Sequence, residues 1–176
     1  MLFRSYTHQA FSENNGFVVE CSTNAGNMHD STAFDEPYDR LIENHGEKID
    51  NVCLDSGYNT PAICKKIIES GKTALMPYSR PKGRKGLMKK KEYEYNKEED
   101  CYVCPNGCVL TLSTVDKEGY KIYRSNKKEC AVCPLKDSCT KSKNGQKVIT
   151  RHIWQDYKDE VNDNRFTDNF KENYPH

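Results

Sequence analysis

Residues 51–63 read NVCLDSGYNTPAI. The apolar run Val52-Cys53-Leu54 ends on Asp55, then come Ser56-Gly57, Tyr58 and Thr60-Pro61. A short apolar run bounded by turn residues reads as a buried strand. Thr60 is suited to cap a helix, and Pro61 to its first helical position. Ile63, Ile67 and Ile68 supply an apolar face, and Gly71 stops the helix. TALMPY, residues 73–78, then reads as a second strand. Two strands joined by one helix are expected to be parallel, with a right-handed crossover. In open α/β sheets, sites gather at the carboxyl ends of strands, which is where Asp55 lies. Taken alone, Asp55 has two readings. It can begin a turn and satisfy nearby amides. It can also be one of two or three carboxylates that converge on Mg²⁺ for phosphoryl transfer.

Upstream, LFRSYTHQAF (2–11) and GFVVECST (16–23) read as strands, with Asn14-Asn15-Gly16 as the hairpin turn. In the stretch 24–46, Thr32-x-x-Asp35 resembles a capping box, and Asp30 or Ser31 could also cap. His29-Asp30 reads as a capped helix start with a neighbouring imidazole, or as a metal-binding pair. Phe34, Tyr38, Leu41 and Ile42 recur at helical spacing, and Gly46 ends the helix. The order β-β-α-β-α-β predicts an α/β fold: a mixed sheet with helices packed on it, over residues 1–79.

Downstream the composition changes. RPKGRKGLMKKK, residues 80–91, holds seven Lys and Arg in twelve positions. Such a run either tracks nucleic-acid phosphates or is a solvated linker. The DNA reading falls on Arg80, Lys82, Arg84, Lys85, Lys89 and Lys90. Short β-prone pieces follow at 93–95, 101–104, 109–114, 120–125 and 147–153, with VDKEGY (115–120) as a hairpin turn. Residues 80–150 thus read as a small β-rich insertion, and 151–176 as a polar tail. Cys101-x2-Cys104 and Cys130-x2-Cys133 are knuckle-like pairs flanked by Cys108 and Cys139. Four thiolates around Zn²⁺ would staple the insertion like a zinc ribbon. Cys21, Cys53 and Cys64 read as small core residues.

Nine cysteines in a chain without a visible secretory signal suggest a reducing compartment, so a cytoplasmic location is expected. No apolar run approaches the ~20 residues of a membrane span. A formal net charge of +1 gives no global attraction to nucleic acid, so any such attraction must be local.

Five stretches occur in an order that resembles the DDE transposases of bacterial insertion sequences. They are NAGNMHDSTAF (24–34), LDSGYNTPAI (54–63), MPYSRPKGRKG (76–86), CYVCPNG (101–107) and CAVCPLKDSC (130–139). The likeness runs from about Phe3 to Arg165 and is greatest to the branch with a cysteine-bearing insertion before the last catalytic helix. It implies a partial RNase H-like domain. Asp55 matches the second of three catalytic acids. It would help bind the Mg²⁺ that activates water or a 3′-hydroxyl against a DNA phosphodiester. The family's cysteine pattern selects Cys104, Cys130, Cys133 and Cys139 for zinc, with Cys101 as the alternative. Transposon-end DNA is the implied partner, and a homo-oligomer stays open.

The likeness has gaps. Glu13, Glu20 and Asp30 do not lie on a strand before the hairpin, where the first acid belongs. Glu160 and Glu172 do not match the family's catalytic helix. The chain therefore reads as an internal transposase fragment that is inactive alone. The purified protein should show no Mg²⁺-dependent nicking or joining of transposon ends; activity abolished by Asp55→Ala would refute this. The alternatives are a zinc-stapled DNA- or protein-binding module without catalysis, and an intact nuclease.

Overall fold

The computed structural model describes residues 5–80 and 83–174. The chain divides into two compact units, one of residues 1–79 with 154–176 and the other of residues 80–153.

The first unit opens with an antiparallel hairpin, β1 (Tyr6–Ser12) and β2 (Val18–Ala25), in register from Tyr6↔Ala25 to Phe11↔Glu20 with a bulge before Ser12. Gly16 takes a φ of 84° in the connecting turn, a conformation open to glycine at no steric cost. Alternation turns Thr7, Gln9 and Phe11 toward the interior. Helices α1 (Asp30–Ala33) and α2 (Asp35–His45) follow. The anticipated cap is corrected here: the His29 side chain accepts from the Ser31 amide and starts α1, whereas α2 begins at Phe34 without a side-chain cap. At its other end α2 runs into a 3₁₀ turn, Gly46–Lys48.

Strand β3 (Asn51–Cys53) pairs in parallel with β4 (Thr73–Leu75), as anticipated, with α3 (Pro61–Glu69) between them. Thr60 caps α3 by accepting from the Ile63 amide, and Pro61 occupies its first turn. Gly71 adopts φ 75° just past the helix end. The hairpin and the parallel pair are separate two-stranded sheets, so the single mixed sheet expected from the sequence is not formed among the described residues. Among the described residues, each pair has two strands and therefore outer edges that no further strand covers.

The second unit is a five-stranded antiparallel sheet in sequential order: β5 (Glu94–Asn96), β6 (Cys101–Val103), β7 (Val109–Val115), β8 (Tyr120–Ser125) and β9 (Val148–His152). All five β-prone pieces become strands. Two short helices, α4 (Lys127–Ala131) and α5 (Lys136–Cys139), precede β9. One sheet face closes over Tyr93, Tyr102, Leu110, Tyr123 and Ile149.

Helices α6 (Gln155–Asn164) and α7 (Asp168–Asn173) return the chain to the first unit. Val161 of α6 joins a core made by Phe34, Tyr38, Leu41, Val52, Ile63, Ile67 and Met76. Burying each such side chain stabilises by about 1.5–3 kcal/mol. Polar staples fix the docking: Lys158 donates to the Asn59 carbonyl, Asn59 to Asn162 at 3.0 Å, and Asn164 to the Ala74 carbonyl at 3.2 Å. Cys64 is buried as expected, but Cys21 and Cys53 are exposed, because they lie on outward positions of their strands.

Candidate functional site

Leu54 ends the parallel pair by donating its amide to the Leu75 carbonyl at 3.1 Å. Asp55 is extended, with φ −64° and ψ 159°, and a 3₁₀ turn, Ser56–Tyr58, follows. The Asp55 carbonyl closes that turn by accepting from the Tyr58 amide at 3.0 Å. The turn is therefore satisfied by backbone alone. The Asp55 carboxylate is exposed, caps nothing, and has no hydrogen-bond partner among the described residues.

Asp55, Ser56, Gly57, Tyr58 and Pro77 line an open recess of about 390 Å³ together with His29 and Asp30. His29 Nδ1 accepts from the Ser31 amide at 3.2 Å. That bond places the proton of a neutral imidazole on Nε2. Gln9 Nε2 reaches from β1 to the Asp30 carbonyl at 2.9 Å and to the Tyr58 hydroxyl at 3.1 Å, tying hairpin, α1 and turn together. Burial pushes the Tyr58 hydroxyl pKa up. The negative charge of Asp30 and, less, of Asp55 adds to this against the Gln9 bond. Two carboxylates thus act on one phenol.

The end of α7 meets β3 beside this recess. Asn51 and Asn169 exchange amide bonds at 3.1 and 2.9 Å, Cys53 Sγ donates to the Asn173 carbonyl at 3.5 Å, and Tyr174 donates to the Leu54 carbonyl at 3.4 Å. The Tyr174 hydroxyl pKa is raised, by burial first and then by the charge of Asp55.

A hard cation such as Mg²⁺ takes oxygen ligands, and Asp55 and Asp30 supply carboxylates to one recess. Among the described residues, however, no group of three or more His, Cys, Asp or Glu is placed to hold a metal ion. The donor chemistry suits the ion, and the ligand set is incomplete.

The same finding applies to the cysteines. Cys101 is buried on β6 with its thiol toward Glu99, and burial raises its pKa first. Cys104 and Cys108 flank the turn at Gly107, where the Cys108 amide donates to Cys104 Sγ at 3.3 Å. Burial, then Glu129 and Cys104, push the Cys108 thiol to about 11. Cys130 Sγ turns to Ser125 Oγ at 3.1 Å, and Cys139 Sγ meets the Tyr93 hydroxyl at 2.9 Å. Cys104 and Cys139 both pack on the tyrosine core, but Cys130 and Cys133 do not join them in a ligand group. The residues do not fit zinc in this arrangement.

In the basic run, Arg80, Arg84, Lys85 and Lys89 are exposed, and Lys82 lies outside the described residues. Lys90 differs. Its ammonium donates to the Thr150 carbonyl at 2.7 Å and lies 5.8 Å from the Tyr102 ring centre, so it anchors the run to the sheet.

Residues 103–176 match the family model of the transposase DDE domain. The match supports an insertion-sequence DDE transposase. It spans β7–β9, α6 and α7 and does not reach Asp55. A divalent metal and transposon-end DNA are what that family implies. No curated protein and no solved structure matches the chain. No helix among the described residues is long and apolar enough to cross a membrane.

Sequence reasoning did not single out Gln9 or Tyr58 as part of the site. Tyr58 carried a signal, since it stands three residues after Asp55. Gln9 carried none, because its contacts span 21 and 49 residues.

Proposed function

We propose that the chain contributes to DNA transposition by metal-dependent phosphoryl transfer, with Asp55 as a metal-binding carboxylate. The observation that supports this is the freedom of the Asp55 carboxylate: it ends a parallel strand, faces an open recess and satisfies no turn amide. A bound divalent cation would neutralise charge developing at a phosphodiester. The chain's own residues set the stage for it. Gln9 holds the Tyr58 hydroxyl beside the carboxylates, His29 fixes the start of α1, and Ser56-Gly57 keep the approach narrow in side chains. The described residues bring no third ligand to Asp55, so this arrangement alone does not support strand transfer.

Paramagnetic Mn²⁺ tests the reading without needing turnover. Low Mn²⁺ should broaden amide resonances of residues 55–58 and 29–30 selectively, and Asp55→Asn should remove the effect with an unchanged melting temperature. Equal broadening in Asp55→Asn would sink the assignment.

A further inference from the structure

The near-neutral net charge conceals an uneven distribution. Residues 80–153 carry eighteen Lys and Arg against nine Asp and Glu, a net charge of +9. The other unit carries nine against seventeen, a net charge of −8. Several cations of the second unit are committed internally. Lys121 pairs with Asp100 at 2.8 Å. Lys147 donates to the Met88 and Cys139 carbonyls and covers the Tyr93 ring at 4.8 Å. Lys90 is held as described above.

The remainder is not confined to the 80–91 run. Tyr123 points into the tyrosine core, so its neighbour Arg124 points to the opposite sheet face, next to Thr111 in the β7–β8 register. That face is an open groove of about 840 Å³, lined among others by Asn106, Thr111, Ser113, Arg124, Asn126 and Gln146. Lys127 and Lys128 stand exposed where α4 leaves β8. Arg124, Lys127 and Lys128 have no ion-pair partner among the described residues. Glu129 is the one carboxylate in the lining, and it accepts from Asn126 Nδ2 at 3.4 Å.

We infer that this β7–β8–α4 groove is a sequence-independent contact surface for the phosphate backbone of duplex DNA, separate from the basic run. The inference rests on the transposase reading above for the kind of partner and on the groove for the place. Its chemistry is that of backbone contacts: Arg124 in the lining, with Lys127 and Lys128 beside it on α4, to neutralise phosphates, and Asn, Gln, Ser and Thr groups to hydrogen-bond phosphate and sugar oxygens. Seven residues of β7 at about 3.3 Å each span about 20 Å, the rise of roughly six base pairs. No arrangement of base-reading groups is needed for such binding.

The test is fluorescence anisotropy of the full chain with a labelled duplex of arbitrary sequence, across a salt series. Three proteins are compared: wild type, R124Q/K127Q/K128Q, and R84Q/K85Q/K89Q. All six positions are exposed, and circular dichroism checks that each protein folds. Wild type should bind, with log K falling linearly with log salt. The groove triple variant should lose about 2.7 from that slope, and on the order of tenfold affinity per lost contact at 0.1 M salt. If wild type binds and the groove variant keeps its slope and affinity, the groove is not the surface and the transposase reading stands. If wild type fails to bind DNA at low salt, the partner is wrong in both. Equal affinity for a polyglutamate peptide would overturn the nucleic-acid assignment in favour of general polyanion binding.

Discussion

Asp100→Ala should destabilise the 80–153 unit by about 2–4 kcal/mol. Asp100 holds φ 47° at the β5–β6 turn, and its carboxylate collects three donors: Tyr95 at 2.8 Å, Tyr123 at 2.5 Å and Lys121 at 2.8 Å. Tyr123 is fully buried, so alanine removes the acceptor of its hydroxyl and leaves that group only Tyr95 to pair with, and a poorly satisfied buried polar group costs about 1–3 kcal/mol. The loss of the Lys121 pair adds to that, as does the loss of an Asp side chain, which tolerates positive φ better than alanine does. Asn tolerates positive φ and keeps one acceptor, so Asp100→Asn should cost less, about 1–2 kcal/mol. The pH dependence has a definite sign. Burial pushes the Asp100 carboxyl up, but the bonds from Lys121, Tyr123 and Tyr95 outweigh it and hold it at about 2, below the ordinary 3.8. Its stabilisation is therefore complete above pH ~4 and lost as pH falls toward 2. Urea unfolding at pH 6 and pH 3 should show a smaller gap between wild type and D100A at the lower pH. A gap that does not shrink on acidification would refute the ionised network.

Phe34→Ala should cost about 3–5 kcal/mol and is expected to leave the first unit barely folded, since whole domains are stable by only about 5–15 kcal/mol. Phe34 is 1% exposed, stacks on Tyr38 with ring centres 4.9 Å apart, and touches Phe11 at 6.0 Å and Tyr58 at 5.9 Å. Removing it opens a cavity where hairpin, helix and Asp55 turn meet. The recess should suffer with the core, because Tyr58 loses the ring that supports it. Phe17→Ala is the control: Phe17 is 71% exposed, and its loss should stay within about 0.5 kcal/mol. Comparable denaturant midpoints for the two variants would contradict the core assigned to this unit.

Much of this architecture is written in local chemistry. Asn14-Asn15-Gly16 specifies a hairpin, Thr60-Pro61 a helix start, and the VDKEGY turn at 115–120 two paired strands, because each signal acts within a few residues. The failures share a different origin. His29 caps α1 in place of Thr32, Asp30 or Ser31, and only the geometry of the preceding chain decides which side chain reaches the Ser31 amide. Asp100 reads as one more acid in an exposed KEED stretch, yet two of its partners lie 21 and 23 residues away. Helices α6 and α7 were hidden in a polar tail, since bonds such as Lys158 to Asn59 across 99 residues hold them as much as apolar periodicity does. The cysteine spacing suggested a common zinc site, but the fold sends Cys130 toward Ser125 and Cys139 toward Tyr93. Of the candidate site, Asp55 was legible as a strand-end acid; its company was not.

Helix α7 buries no side chain completely, and it holds β3 chiefly through the Asn51–Asn169 amides and the contacts of Asn173 and Tyr174. Lifting it away uncovers little apolar surface, so its opening free energy lies far below that of the Phe34 core. In hydrogen exchange, its amides should trade protons long before those of α3. Asp55 then lives beside a neighbour that leaves and returns many times within the lifetime of one folded molecule.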